Sequence, residues 1–239
     1  SHFHQVLVHR IMTTTPARSK VPEARPCKLR QFDHRYIYEP TGQRMKKSVT
    51  GVTNYFKDPN RFWGKDATTQ RDIGIHVHEW LHRHLTKPTH QVDSQCPEGH
   101  DCTPWIKALL EDETLQTAQI LASEFTMVDC EKSLGGQLDL LIEDEGKVIL
   151  VDLKTKTKKW KAASRSDKLG YRQQAGGYLT LFQSGTDAGN ARHIEVHECQ
   201  TLIVKPWEAI WLDPYTPQSC LNAWDESWGK YAAAALTAF

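Results

Sequence analysis

The residues best suited to chemistry fall in one predicted hairpin. Gly135-Gly136-Gln137-Leu138-Asp139-Leu140-Leu141-Ile142 is followed by Glu145-Gly146 and then by Lys147-Val148-Ile149-Leu150-Val151-Asp152-Leu153-Lys154. Gly146 supplies the turn residue of a tight hairpin. Pairing Asp144 with Lys147 across that turn sets Asp139 opposite Asp152 and Gln137 opposite Lys154. Opposite positions of an antiparallel pair hold their Cβ atoms about 4.5–5.5 Å apart on one face. Two carboxylates and a lysine would then converge on one patch of an otherwise apolar hairpin. Like charges that close repel unless a proton or a cation lies between them, and a hard divalent cation with oxygen ligands resolves the conflict. The alternative is a pair of ordinary strand polars facing solvent. Against it, Val148, Leu150, Asp152 and Lys154 share one face by strict alternation, and that face begins apolar. A second acid-x-lysine match, Glu145-Gly146-Lys147, falls in the turn and cannot present a converging pair.

The elements that must position this hairpin follow from hydrophobic periodicity. Ile73, Val77, Trp80, Leu81 and Leu85 form one stripe and predict a helix over 70–85. Residues 35–56 alternate short β-like runs around the turn Pro40-Thr41-Gly42, and 88–104, with Pro88, Pro97, Gly99 and Pro104, read as a loop. A second helix is expected over 104–121, strands over 123–130, 135–143 and 147–154, a helix over 168–183, strands over 199–205 and 208–213, and a closing helix from 218. The pattern is α+β or α/β: a central mixed sheet flanked by helices, with a helical region preceding it.

Composition bounds the function. The 239 residues are 39% hydrophobic and 25% charged, with a net charge of +1, which excludes a disordered chain and a histone-like binder. No apolar run reaches the roughly 18 residues of a membrane span. Six scattered cysteines with no signal peptide ahead of them read as reduced and the protein as intracellular. Residues 1–11 resemble vector or leader sequence ahead of Met12, and 1–34 are expected to form a disordered arm, leaving 35–239 as one domain. The acid-poor leader keeps a mitochondrial address open beside the bacterial or phage-infected cytoplasm. From Lys154 to Arg172 eight basic residues face one acid, Asp167, with Trp160 among them. Lys156, Lys158, Lys159, Trp160, Lys161, Arg165, Lys168 and Arg172 are thus candidates for contact with a nucleic-acid backbone and unstacked bases.

The ordered motifs resemble the PD-(D/E)XK nuclease superfamily, in particular its RecB-like exonuclease branch. That branch carries a helix histidine, a Gly-Gly-x-x-Asp strand, an Asp/Glu-x-Lys strand and a Gln-x-x-x-Tyr helix. Here these correspond to His78, Gly135-Gly136-Gln137-Leu138-Asp139, Asp152-Leu153-Lys154 and Gln174-Ala175-Gly176-Gly177-Tyr178. Ser48-Val49-Thr50, Asp152-Leu153-Lys154-Thr155 and the aromatic-rich final helix look like the mitochondrial genome-maintenance exonuclease subgroup and its phage relatives. The resemblance spans roughly 35–235 and departs at Leu138, where Pro is frequent; no closing cysteine triplet supports an iron–sulfur cluster. It implies a restriction-endonuclease-like core and a Mg²⁺- or Mn²⁺-dependent exonuclease. The substrate would be single-stranded DNA or DNA ends, met in recombination, repair or replication. His78, Asp139, Asp152 and the carbonyl of Leu153 would hold the metal, Lys154 would orient water, Glu124 would add a ligand, and Gln174 and Tyr178 would complete the site. Gly176 and Gly177, costly in a helix, suggest that its backbone packs close to the sheet or to DNA.

Two rival motifs are present. His78-Glu79-Trp80-Leu81-His82 matches the H-E-x-x-H pattern of a zinc metalloprotease. With 12 histidines in the chain and Leu85 where one continuation needs glycine, the match arises easily by chance. Cys96, His100 and Cys102, with His90, resemble half a zinc site at irregular spacing. A non-catalytic DNA-binding module is the third alternative, opposed by the complete Asp139, Asp152 and Lys154 set.

Overall fold

The computed structural model of the chain describes residues 20–57, 65–87, 99–191 and 193–237. Its centre is a six-stranded mixed sheet. The strands are β4 (Lys47–Ser48), β5 (Gln119–Asp129), β6 (Leu134–Asp144), β7 (Lys147–Thr155), β8 (Glu198–Lys205) and β9 (Glu208–Trp211). β5 runs antiparallel along one edge of β6, from Gln119↔Glu143 to Asp129↔Leu134. The other edge is shared. β7 pairs antiparallel with it from Leu140↔Val151 to Asp144↔Lys147, and β4 pairs parallel at Leu134 and Gly135. Residues 136–139 on that edge therefore have no strand partner.

β7 lies in the middle of the sheet, parallel to β8, and reads as a continuous apolar run because both its faces are covered. On one face Val148 and Leu150 pack with Tyr178, Leu179 and Phe182 of α5 (Arg165–Ser184), Val49 and Val52 of α1 (Val49–Asn54) and Trp224 of α6 (Pro217–Leu236). On the other, Ile149, Val151 and Leu153 meet Ile73, Val77, Trp80 and Leu81 of α2 (Lys65–Thr86) and Trp105, Ile106 and Leu109 of α3 (Thr103–Leu110). α5 starts in a capping box formed by Ser164 and Asp167. The expected α+β class and the central strands agree with this architecture.

Four expectations are corrected. The helix expected over 104–121 stops at Leu110 and restarts as α4 (Glu113–Thr117), because the Asp112 carboxylate accepts the Leu115 amide at 2.8 Å. Within 35–56, α1 follows a strand because Ser48 caps it, accepting the Gly51 amide at 3.0 Å. Part of the expected arm is folded: β1 (Cys27–Arg30) joins β2 (Arg35–Tyr38) and β3 (Gln43–Arg44) in a three-stranded antiparallel sheet. Arg25 fastens it by donating to the carbonyls of Leu181 at 2.7 Å and Phe182 at 2.6 Å while its guanidinium lies over Phe125. The fourth concerns Gly176 and Gly177, which serve helix–helix packing: a Cβ on Gly176 would overlap the Cys220 carbonyl of α6, and one on Gly177 would stand 2.6 Å from Val49. The leader, with Met12, and the loop residues His90 and Cys96 lie outside the described residues. No described helix is long and apolar enough to cross a membrane.

Gly176→Ala should therefore lower unfolding free energy by about 1–3 kcal/mol or more, the cost of overpacking. Gly229→Ala on the exposed side of α6, where nothing lies within 4 Å, should be neutral or stabilising by up to about 1 kcal/mol. Urea denaturation of the two variants checks the contrast.

Candidate active site

The alternation of β6 changes phase at Asp139. Leu134 and Leu138 belong to the core under α5, whereas Leu140 and Ile142 belong to the core under α2 and Leu141 returns to the α5 side. The ladder with β5 keeps its register across this point and shifts between Ile120 and Ala122, so the phase change is local to Asp139 and the residue opposite it. Across the ladder, Ser123↔Leu140 and Phe125↔Leu138 put Glu124 opposite Asp139, and Glu124 has a left-handed backbone with φ of 49°. Gln137 secures that strained residue, donating from Nε2 to the Glu124 carbonyl at 3.0 Å. The hairpin register expected for Asp139 and Asp152 continues only to Leu140↔Val151. Beyond it the Asp139 side chain, through Oδ2, accepts the Leu153 amide at 2.7 Å. Gln137, expected opposite Lys154, pairs with Thr126 of β5 instead.

His78 reaches this point from α2. Gly74, one turn earlier, allows the helix to approach the end of β7, since a Cβ there would stand 3.0 Å from Thr155 Oγ1. His78 Nδ1 lies 3.3 Å from Asp139 Oδ1 and 3.5 Å from Glu124 Oε1. One ligand-type atom from each of His78, Glu124 and Asp139 falls within 4.8 Å of the others, a spacing able to hold a metal ion.

Beside this cluster runs a chain of hydrogen bonds. Asp152, only 2% exposed, accepts from Lys154 Nζ through Oδ1 at 2.8 Å. Lys154 Nζ also donates to Gln174 Oε1 at 2.9 Å, and Gln174 Nε2 donates to the Tyr178 hydroxyl at 2.8 Å. Asp152 Oδ2 is buried with no hydrogen-bond partner. A buried carboxylate oxygen left bare beside an oxygen- and nitrogen-lined cluster fits a cation rather than a neutral ligand. The cluster opens into a cleft of about 660 Å³, walled also by His34 and Tyr36 from the N-terminal sheet and by Thr50 of α1.

The two carboxylates are tuned apart. Burial pushes Asp152 up, and the Lys154 ammonium only partly offsets it. Burial acts on Asp139 in the same sense but is outweighed by His78 and then Lys154, which hold it below its usual value. Burial would lower the His78 imidazole, yet Asp139 and Glu124 raise it to about 10. Tyr178 lies well above its normal range because it is buried and faces both aspartates.

The other candidates are placed as follows. Glu79 pairs with Arg83, and His82 Nδ1 meets Ser123 Oγ at 2.9 Å. The H-E-x-x-H residues therefore do not converge on one ion: only His78 faces the cluster. Lys158, Lys159, Lys161, Arg165 and Lys168 are exposed, and Trp160 is half-buried. Lys156 lies over the Tyr171 ring at 6.0 Å, and Arg172 over Tyr215 at 5.8 Å. His100 and Cys102 are described, but among the described residues the metal-capable group is the one at His78. Gln137, His34 and Tyr36 carry no motif of their own. For Gln137 the available signal was its two-residue spacing from Asp139.

A family model for the PD-(D/E)XK nuclease superfamily matches residues 53–219. No curated protein matches the chain. A solved structure described as "Crystal structure of SSO0001" is similar over 77% of this chain and 76% of its own, at 12% identity and a TM-score of 0.35.

A metal ion held through His78 would have to displace its proton, which Asp139 and Glu124 hold with a pKa raised to about 10. Divalent affinity should therefore rise between pH 7 and 10, with proton release on binding that His78→Ala lacks. Titration calorimetry in buffers of different ionisation enthalpy measures that proton. The sign for stability is the reverse. A raised imidazole pKa stabilises the metal-free fold fully below the usual value of 6.5, and this contribution is lost as pH climbs through about 10.

Proposed function

The chain belongs to the PD-(D/E)XK nuclease superfamily, and on that basis we propose that it is a Mg²⁺- or Mn²⁺-dependent DNA exonuclease of the RecB-like kind, acting on single strands or free ends. The observation that carries the proposal is the adjacency of the His78, Glu124 and Asp139 cluster to the Asp152–Lys154–Gln174 chain at one mouth of the sheet. In this reading the nuclease domain includes the N-terminal sheet from β1 onward, and the chain serves recombination, repair or replication, as the resemblance to mitochondrial and phage exonucleases implies.

His78, Glu124 and Asp139 would hold the metal, joined by the bare Oδ2 of Asp152 and the carbonyl of Leu153. When bound, the cation lowers the pKa of a water molecule and supplies positive charge against the scissile phosphate. Lys154 does its work beside it. Its ammonium is aimed by two acceptors, Asp152 and Gln174, so it needs no reorganisation to meet charge developing on the phosphate or to orient the attacking water. Tyr178 stays protonated and accepts from Gln174, which fixes the amide so that its oxygen faces Lys154. Lys156, Lys158, Lys159, Lys161, Arg165, Lys168 and Arg172 would track the phosphate backbone, with Trp160 offering a ring to an unstacked base.

Labelled single-stranded and duplex oligonucleotides with Mg²⁺, Mn²⁺ or EDTA test the reaction; full degradation in excess EDTA would overturn it. Lys154→Ala should lower kcat by about 10²–10³-fold while leaving DNA affinity close to wild type, because its contribution is made in the transition state. His78→Ala should cripple cleavage, whereas Glu79→Gln and His82→Ala should cost little. Equal losses from the three would mean that α2 matters as a whole and not through His78.

A further inference from the structure

A second concavity adjoins the cleft and has no part in the chemistry above. It measures about 280 Å³, at the small end of ligand-sized pockets. Arg35, Lys46 and Lys47 line it from the β2–β4 segment, and Tyr55 and Tyr231 line it from the ends of α1 and α6. His34 and Tyr36 line both it and the cleft, so the two share a wall.

Its rings form a platform. Tyr55 meets Tyr231 and Phe56 edge to face, each at 4.9 Å, and Tyr231 continues to Trp228 at 6.0 Å. Lys47 Nζ lies 5.0 Å from the Trp228 ring and 5.6 Å from Tyr231, which steadies the group. Tyr55 and Phe56 are nonetheless 48% and 62% exposed. The acid at the rim, Asp33, is already paired with Arg30. Lys46 is exposed, with no ion-pair partner among the described residues. Lys57, next to Phe56, approaches Gly170 of α5, so the platform also meets the basic helix.

Exposed rings rimmed by cations, next to a cleft that would hold metal, match one ligand chemistry: unpaired bases on a phosphate backbone. Resting on the nuclease reading above, we infer that Tyr55, Phe56 and Tyr231 stack the bases of a single strand, with Lys46 and Arg35 meeting its phosphates on the way to the metal cluster. A duplex keeps its bases in its own stack and cannot use such a platform.

The test is binding of fluorescein-labelled dT20 and of a blunt duplex in EDTA, followed by anisotropy. Tyr55→Ala with Phe56→Ala should weaken dT20 binding by about tenfold or more and leave duplex binding unchanged. Lys46→Glu, an exposed change that does not threaten the fold, should reduce the salt dependence of dT20 affinity by about one phosphate contact. Wild-type dT20 affinity in variants that melt like the parent would overturn the inference, as would an equal loss for duplex. If the aromatic variant unfolds, Lys46→Glu decides alone. Hydrolysis of bis(p-nitrophenyl) phosphate with Mn²⁺ by the wild-type protein reports the chemistry separately. Hydrolysis without dT20 binding overturns the platform alone, and absence of both overturns the nuclease reading with it.

Discussion

β6 has two edges and three strands to accommodate. β5 fills one edge, and β7 and β4 divide the other, so a gap of four residues, 136–139, opens between them. Backbone groups in such a gap need partners. The Asp139 carboxylate provides one by taking the Leu153 amide through Oδ2. That single bond fixes the carboxylate so that Oδ1 faces His78. The phase change in β6 and the left-handed Glu124 opposite it belong to the same dislocation. A non-glycine residue in that conformation costs of order 1–3 kcal/mol. Gln137, clasping the Glu124 carbonyl, holds it there, and the well-packed β5–β6 ladder on both sides offsets the strain.

The gap also gives the two aspartates different partners, although the Asp139 charge still adds to the burial that pushes Asp152 up. Had the hairpin register continued, both carboxylates would share one face with no cation between them. Instead Asp139 has His78 and an amide for partners, and Asp152 has Lys154. The division leaves Asp152 Oδ2 bare. A buried acceptor without a partner costs about 1–3 kcal/mol, a conflict that a divalent cation held there would relieve. Ligand binding to the native state alone adds to stability by mass action, so a metal held at this end of the sheet would add to its stability.

The central strands were legible because buried strands leave a plain signature: apolar runs of strand length bounded by glycine and charge. The same alternation exposed Asp139, Asp152 and Lys154, since polar residues interrupt an apolar face there. Glu124 carried only a weak signal, because what matters is its left-handed backbone opposite Asp139, and a side-chain alphabet does not encode that. Gln137 acts through a backbone carbonyl and looks like any strand polar. Of the N-terminal sheet, β2 and β3 were legible around their turn, but β1 was missed because it is short and carries two charges; Arg25, an unlikely core residue by type, is buried by bonding to the last turns of α5. The Gly176–Gly177 pair was legible as a close approach but not for its partners, the α6 backbone at Cys220 for Gly176 and the side chains of Val49 and Trp224 for Gly177.

That N-terminal sheet belongs to the site rather than to an appendage. Gly135 has no side chain because Tyr36 occupies the space where its Cβ would be. Tyr36 is 7% exposed, and its hydroxyl is raised first by burial and then by Asp139 and Glu124 nearby. It therefore stays a neutral wall beside the acidic cluster at any working pH. The glycines of the Gly-Gly-x-x-Asp segment thus serve two packings, Gly135 against Tyr36 and Gly136 against Val49, Leu181 and Tyr178. They bring neighbouring layers against opposite faces of β6, at the start of its unpaired stretch. The motif reads in sequence as a catalytic signature, yet three of its five positions act on geometry: two glycines admit the walls of the cleft, and Gln137 sets the backbone of the opposing strand. Only Asp139 faces the metal-capable cluster, and its bond to the Leu153 amide holds it there.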